Sequence, residues 1–291
     1  MTKRLSFTPY LFLTPALIVI AIFVLYPILA VIYYSFTDYS IVTPPVWVGL
    51  KNYQQLLNEQ GFRDALVHSF IYLLVTPVLI FFGILLAIAV NRKLPLINVF
   101  RALYYIPVIS GSIAVGYSWR MLFDTNGLFN GILISLGIIQ DPIQWLAEPS
   151  LTLPIAMLLT IWLGLGYYMM IFLAGLQNIP EELYDAAVID GCNAWQKHWH
   201  VSLPGLRPQM TFVAVASSVA ALEVFNEIFT LNGELGGILN SGYTIVFYLW
   251  RQAFRLQHAG YASAVALVLL ALTLAFSILN MRALERGTEA E

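Results

Sequence analysis

Charged residues are scarce in this chain. Asp, Glu, Lys and Arg make up only 10% of its 291 residues, whereas soluble domains carry about 25%. Hydrophobic residues make up 59% of the chain, and the mean hydropathy is +0.78. The polar segments between the apolar runs are too short to form a soluble domain. The composition therefore predicts an all-α membrane protein, since a helix satisfies its own backbone hydrogen bonds in lipid.

Other absences exclude whole classes of function. The one cysteine, Cys192, excludes an intramolecular disulfide and a cysteine metal cluster. A net charge of −2 without a basic patch argues against nucleic-acid binding. The chain has no G-x-x-x-x-G-K-[ST] phosphate loop, so it cannot be a P-loop ATPase by itself. We see no metal-ligand cluster and no nucleophile beside a base, and we predict no catalytic residue, metal site or cofactor in this chain.

Six apolar runs are long enough to cross a bilayer, which takes about 20 residues. They are about Tyr10–Phe36, Ala65–Val90, Ala102–Phe123, Leu151–Leu176, Met210–Leu231 and Tyr261–Leu284. The first run is too long for a cleaved signal peptide and is interpreted as a retained helix. Residues 1–291 are thus predicted to form a single transmembrane domain.

The distribution of Lys and Arg predicts the orientation of these spans. With the N-terminus inside, nine of the 14 basic residues fall on the inside and five on the outside. The inside residues are Lys3, Arg4, Arg92, Lys93, Arg101, Lys197, Arg207, Arg282 and Arg286. This bias predicts cytoplasmic termini and a cytoplasmic loop over residues 177–208.

That loop contains a well-marked helical segment, Pro180–Pro204. Pro180 suits a first helical position, and Gly191 suits a helix end with a left-handed backbone. Asn193 and Gln196 have the spacing of a reciprocal cap for a second helix, which Pro204 is expected to stop. Two interpretations stay open: a helix that docks on a soluble partner, or an amphipathic helix that lies on the headgroups with Trp195 and Trp199 as anchors.

At this point the chain resembles a known family. Asp185-Ala186-Ala187, Asp190-Gly191 and, after nine intervening residues, Val201-Ser202-Leu203-Pro204 are similar to the EAA-type signature of ABC importer permeases. Further matches to the carbohydrate-uptake branch are Ala174–Pro180 (AGLQNIP), Val48–Tyr53 (VGLKNY), Arg101–Pro107 (RALYYIP), Gly127–Asn130 (GLFN) and Gly260–Ala264 (GYASA). The chain departs from the pattern in two places: Asp185 replaces the usual glutamate, and Gly233–Gly237 lacks the usual proline.

The resemblance implies a type I ABC importer permease fold whose loop is a coupling helix in a cleft of a cytoplasmic ATPase. The residues it assigns to ATPase coupling are Glu182, Asp185, Ala186, Ala187, Asp190 and Gly191. It implies two ATPase subunits that carry ATP and Mg, an extracytoplasmic solute-binding protein, and a second permease subunit that is a different chain. The location would be the plasma (inner) membrane, and ATP hydrolysis would be on another subunit, so this chain would not be an enzyme.

Polar residues inside the spans are the candidates for a substrate pathway, because such residues are costly in lipid. Glu223, Asn226 and Glu227 share one face of a continuous fifth span, and carboxylate and amide groups suit a sugar-like ligand. Glu227 is expected to be the more solvated of these. In the fourth span the family resemblance points to Gly164, Gly166, Tyr167 and Tyr168, although small-residue helix packing would explain the glycines equally well.

The predicted function is therefore the transmembrane subunit of an ATP-driven importer for a carbohydrate or sugar-like osmolyte. The alternative is a secondary transporter driven by an ion gradient. That class would require acidic or histidine relays spread over several spans, or matching broken helices in two halves. Here the intramembrane carboxylates are concentrated in the fifth span.

Overall fold

The computed structural model describes residues 8–91 and 95–285. Lys3, Arg4, Arg92, Lys93 and Arg286, which enter the charge count, lie outside the described residues. The chain separates into two compact units. One contains the chain up to Gln60 together with Leu249–Leu270, and the other contains Gly61–Tyr248 and the chain from Ala271 onward.

Helices dominate both units. The α-helices are α1 (Thr8–Ile20), α2 (Tyr26–Ser35), α3 (Lys51–Asn58), α4 (Gln60–Tyr72), α5 (Val75–Val90), α6 (Ile97–Ile109), α7 (Ser112–Leu122), α8 (Leu128–Ser135), α9 (Pro149–Gln177), α10 (Glu181–Ile189), α11 (Ala194–Lys197), α12 (Leu203–Gly205), α13 (Arg207–Leu222), α14 (Asn226–Asn232), α15 (Ile245–Trp250) and α16 (Ala259–Glu285). Shorter turns are the π-helical Ala21–Leu25, His198–Ser202 and Arg251–Arg255, and the 3-10 helical Gly233–Leu235 and Ile238–Asn240.

The prediction of an all-α protein misses one short antiparallel ladder in the first unit. β1 (Thr37–Asp38) pairs with β2 (Val46–Trp47), with Thr37 opposite Trp47. The Asn52 side-chain amide on α3 fixes this region, because its Nδ2 donates to the carbonyls of Ser35 and Thr37, both at 2.9 Å. The ladder is thus tied to the end of α2, where the first apolar run ends.

Within residues 8–91 and 95–285, four helical runs are long and apolar enough to cross a membrane. They are Phe12–Ser35, Gln60–Val90, Pro149–Gln177 and Ala259–Arg282. Two further pairs of helices have the required length and composition only when each bent pair is taken as one span, which raises the number to as many as six. The predicted third and fifth spans are these two bent pairs.

The third apolar run is not the single helix that the sequence predicts over Ala102–Phe123. Helices α6 and α7 meet at 96°. Pro107, inside α6, removes one backbone donor. Ser110 and Gly111 then adopt extended backbone conformations, with ψ of 137° and 121°.

The fifth run is also broken, although less sharply. Helix α13 ends at Leu222, α14 begins at Asn226, and the two are bent by 41°. The break frees the carbonyl of Val224, which accepts a hydrogen bond from Thr244 Oγ1 at 3.0 Å. A buried polar group in lipid needs such a partner, so Thr244 stabilises the break.

The core of the second unit lies between α5 and α9. Gly83 on α5 lets the Phe172 ring approach closely, because a Cβ at residue 83 would lie 3.1 Å from that ring. The buried Tyr72 hydroxyl donates to the Ala156 carbonyl at 2.9 Å and lies 2.6 Å from Thr160 Oγ1. This packing holds α9 in place, and α9 leads directly into the loop that follows.

Candidate coupling loop and pathway residues

The first loop helix, α10, has well-defined ends. Pro180 is its N-cap residue, one position before the predicted one. At the other end, the Gly191 N–H donates to the Val188 carbonyl at 3.0 Å and the Cys192 N–H donates to the Ala187 carbonyl at 2.9 Å. This pair of bonds is a Schellman motif, and Gly191 has the left-handed φ of +79° that the motif requires. The predicted glycine helix end is confirmed.

The cap of the second loop helix is also confirmed. Asn193 Oδ1 accepts from the Gln196 N–H at 2.9 Å, and Gln196 Oε1 accepts from the Asn193 N–H at 2.8 Å. The predicted proline stop is wrong, since helical backbone continues through Pro204 to Gly205. A π-helical turn over His198–Ser202 runs directly into α12, and Pro204 is the second residue of α12.

A hydrogen bond at a buried serine joins the two halves of the loop. The hydroxyls of Tyr184 on α10 and Ser202 lie 3.0 Å apart. His198 Nδ1 lies 3.1 Å from the same Ser202 oxygen. Ser202 is completely buried. The loop is therefore a folded hairpin of helices rather than an extended connector.

The predicted coupling residues divide by exposure. Those that are exposed are Glu182, Asp185, Ala186, Asp190 and Gly191. Ala187 is different, because it is buried against its own chain. The sequence predicts that Ala186 and Ala187 lie together on the helix face that contacts the ATPase. In the structure, Ala187 instead packs α10 against the rest of the chain, and Ala186 is exposed and can contact another surface.

A polar cleft of about 540 Å³ lies beside α10. Arg101, Glu181 and Asp185 are among its lining residues. Arg101 donates to the Val90 carbonyl at 2.7 Å and so caps the C-terminal end of α5. From the sequence, Arg101 was predicted only to contribute to the charge bias that sets the topology. Its position at the start of the family motif Arg101–Pro107 was the sequence feature that could have indicated a structural role for this side chain.

The break in the fifth run changes the arrangement of the three polar residues there. Glu223 follows α13 directly, while Asn226 and Glu227 open α14. The face they were expected to share on one continuous helix does not exist. Glu223 and Asn226 are exposed and Glu227 is half-buried, so the expectation that Glu227 is the most solvated is wrong. The first turn of α14 withdraws it from the surface.

The candidates in the fourth run also separate. A Cβ at residue 166 would collide with the backbone carbonyl of Tyr104 on α6, and one at residue 164 would meet Leu79 on α5 at 3.4 Å. Both contacts support the helix-packing alternative for these glycines. Tyr168 is buried, and its ring stacks edge-on at 5.2 Å with the exposed Tyr167 ring. Tyr167 alone of the four presents a polar side chain outward.

A buried asparagine organises the segment after α7. The Asn130 Nδ2 donates to the carbonyls of Thr125 and Ile143, at 2.9 and 2.8 Å. Its Oδ1 accepts from the Ile143 N–H at 3.2 Å and from Trp145 Nε1 at 2.8 Å. From the sequence, Asn130 was identified only as part of the Gly127–Asn130 match to the family. Nothing in a local pattern reveals that its partners lie up to 15 residues away.

The apolar helices and the folded loop after α9 are features of a membrane transport subunit. Comparison with known families identifies the family to which the chain belongs. A family model described as "Binding-protein-dependent transport system inner membrane component" matches residues 57–289. The chain belongs to this family of permeases. A multi-pass location in the inner membrane follows from this membership and from the apolar helices.

The permease is similar over most of its length to transport subunits that are named for particular sugars. It is 36% identical over 281 residues to the arabinooligosaccharides transport system permease protein AraP of Bacillus subtilis, covering 94% of this chain and 87% of that protein. It is 31% identical over 278 residues to the lactose transport system permease protein LacF of Rhizobium radiobacter, with 94% and 93% covered.

The permease fold is also found in a solved structure. A chain of a bacterial ABC transporter involved in the import of the acidic polysaccharide alginate matches with a TM-score of 0.83 at 22% identity, covering 96% of this permease and 95% of that chain. A chain of a bacterial alginate ABC transporter in complex with alginate pentasaccharide-bound periplasmic protein also matches, with a TM-score of 0.83 at 22% identity, covering 97% of this permease and 95% of that chain. The likeness establishes the fold of an ABC importer permease.

Proposed function

We propose that this permease is a transmembrane subunit of an ATP-driven importer that carries a carbohydrate or sugar-like osmolyte. The relatives named for arabinooligosaccharides and lactose support the solute class, as does a third, the diacetylchitobiose uptake system permease protein NgcF of Streptomyces coelicolor, at 31% identity over 281 residues covering 92% of this chain and 79% of that protein. The chain crosses the membrane six times, with both termini in the cytoplasm.

The observation that carries the mechanism is the folded loop after α9. Helix α10 is fixed at both ends and presents Glu182, Asp185, Ala186 and Asp190 outward. A rigid, exposed helix at the end of the 29-residue α9 can pass a push along that helix into the membrane. Because the sequence has no phosphate loop, the push comes from a separate ATPase, with ATP and Mg bound on that partner.

The partners follow from this arrangement. One coupling loop engages one ATPase, so two ATPases require a second permease, which we propose is a different chain. A solute-binding protein delivers the solute on the outer side. The family description, which refers to binding-protein-dependent transport, supports that partner.

The proposed solute contacts are the exposed polar groups at the broken run and on α9. Glu223 and Asn226 offer acceptors and a donor for sugar hydroxyls, and Tyr167 offers a ring and a hydroxyl. Glu227 lies partly behind them. Gly164, Gly166 and Tyr168 support this surface by packing and are not proposed to touch solute.

Transport by the reconstituted complex tests the energy source. Uptake into liposomes that contain the permease, its partner permease, the ATPases and the solute-binding protein should require internal ATP and persist after ionophores abolish ion gradients. Uptake driven by an imposed ion gradient without ATP would instead support the secondary-transport alternative.

A carboxylate substitution tests the pathway. Glu223→Ala should lower solute uptake about tenfold, the scale of one lost hydrogen bond to a charged group, and leave basal ATP hydrolysis unchanged. Glu148→Ala, at an exposed carboxylate before α9, is the matched control and should transport normally. Normal uptake kinetics in Glu223→Ala would remove Glu223 from the pathway.

A further inference from the structure

The loop is divided electrostatically between its two halves. From Met121 to Gln196 the sequence contains no Lys or Arg, and within that stretch α10 carries acidic residues in its first turn. From Gly191 to Leu222 the sequence contains no Asp or Glu, but it does contain Lys197, His198, His200 and Arg207. An anionic membrane surface repels the first half and attracts the second.

The second half also borders an apolar groove. A cavity of about 130 Å³ lies between the C-terminal half of α5 and the second loop helix, and its accessible surface is apolar. Its lining includes Ile84, Leu85 and Ile88 from α5 and Trp195, His198 and Trp199 from the loop. The Trp195 and Trp199 side chains are 68% and 60% exposed in the single chain.

The groove is continuous with an exposed apolar face of α5. Phe81, which also lines it, is 59% exposed on α5, and Leu85 is 40% exposed. Helix α5 belongs to a candidate span, and tryptophan rings concentrate where such spans meet the headgroups. A cavity of this size can take a short length of acyl chain, but not a helix about 10 Å across.

We propose that this groove and the cationic residues beside it form a binding site for one anionic phospholipid of the cytoplasmic leaflet. One acyl chain lies in the groove between α5 and the two tryptophans. The phosphate lies toward His198, with Lys197 and His200 adjacent in the sequence. His200 Nδ1 donates to the Gln196 carbonyl at 2.9 Å, since a carbonyl only accepts, and this bond holds the His200 ring against the second loop helix.

The site gives the second loop helix a role separate from coupling. A bound lipid would hold this helix at the membrane while the acidic α10 is directed away from the headgroups, toward the cytoplasm. The inference rests on the proposed cytoplasmic position of the loop, but it does not depend on the solute or on ATP.

Lipid retention tests this site without any transport measurement. The full permease, purified in mild detergent and stripped of lipid, is incubated with phosphatidylglycerol or phosphatidylcholine of identical acyl chains and examined by native mass spectrometry. We expect one phosphatidylglycerol to be retained in preference to phosphatidylcholine. Lys197→Gln should reduce that retention about fivefold, the scale of one cation at an anionic surface, while Lys197→Arg should keep it.

The control and a mapping experiment make the result specific. Lys51→Gln removes an exposed cation from the first unit and should leave retention unchanged, with equal thermal midpoints for all variants. A photoreactive phosphatidylglycerol should form adducts with residues 195–203. The proposal would be overturned if the two lipids were retained equally, or if Lys51→Gln and Lys197→Gln lost phosphatidylglycerol equally. It would also be overturned if residues 195–203 cross-linked to a partner polypeptide in the assembled complex. Failure of ATP-driven uptake would leave lipid retention unaffected.

Discussion

At the scale of single residues, the coupling loop depends most on Gly191. Its φ of +79° closes the Schellman motif of α10, and a Cβ added there would meet nothing within 4 Å. Gly191→Val therefore tests backbone strain without a steric clash, since a β-branched residue resists positive φ at a cost of about 1–3 kcal/mol. We expect solute-stimulated ATPase activity of the assembled complex to fall severalfold while the complex still assembles.

The control for Gly191→Val is Gly191→Asn, because asparagine adopts the left-handed region more readily. This variant should keep most of the stimulation. If both variants behave like the unmodified permease, α10 does not need this turn, and the docking role of the loop loses its main support.

A second glycine acts through packing rather than backbone conformation. Gly166 lets α9 approach the Tyr104 carbonyl on α6, so that any Cβ would collide with fixed backbone. We expect Gly166→Ala to lower the free energy of unfolding by about 2 kcal/mol, as overpacked cores do. Thermal melting of the purified permease should show this loss. Gly164→Ala, where the nearest atoms are side-chain carbons at 3.3 and 3.4 Å, should melt close to the unmodified chain.

These glycines show what a sequence can predict at this scale. The end at Gly191 and the cap of Asn193 with Gln196 depend on residues no more than five positions apart, and both were predicted. The roles of Gly166 and Ala187 depend on α6 and on the rest of the chain. Because local spacing contains no information on these distant contacts, it predicted the same role for Ala187 as for Ala186.

At the scale of elements, Asn130 holds the segment between α7 and α9 together. Asn130→Asp keeps the shape but replaces the Nδ2 donor with an oxygen, which would face the Thr125 and Ile143 carbonyls in a buried position. We expect a loss of about 3 kcal/mol in the free energy of unfolding. Limited proteolysis should cut residues 136–148 faster. Asn126→Asp, the same change at an exposed position, should leave proteolysis unchanged, and equal cutting of both variants would contradict this role.

The breaks within the third and fifth runs explain why the predicted spans differ from the observed helices. Hydropathy records whether a run is apolar, not whether it is straight. Pro107 and Gly111 gave a local hint of the bend between α6 and α7. No proline or glycine lies between Leu222 and Asn226, and the carbonyl freed there is satisfied by Thr244, about 20 residues away. That break, and with it the exposure of Glu223, depends on tertiary structure.

At the scale of the whole molecule, the two bent pairs determine the topology. If both pairs cross the membrane, there are six spans, the α7–α9 segment lies outside and the coupling loop lies inside. If neither pair crosses, four spans remain, and with the N-terminus inside the same two segments exchange sides. The side on which the coupling loop lies depends on the α6–α7 pair alone, so the proposed coupling to a cytoplasmic ATPase requires that this pair crosses the membrane.

Cysteine labelling decides between these topologies. The experiment is simple to prepare because the permease has one natural cysteine, which can be replaced. In a Cys192→Ser background, Gln140→Cys and Ala194→Cys each place one thiol at an exposed position. A membrane-impermeant maleimide added to intact cells opened only at the outer membrane should label residue 140 and not residue 194. Permeabilising the inner membrane should then expose residue 194. The reverse pattern would place α10 outside, where no ATPase could reach it, and would rule out the proposed coupling mechanism.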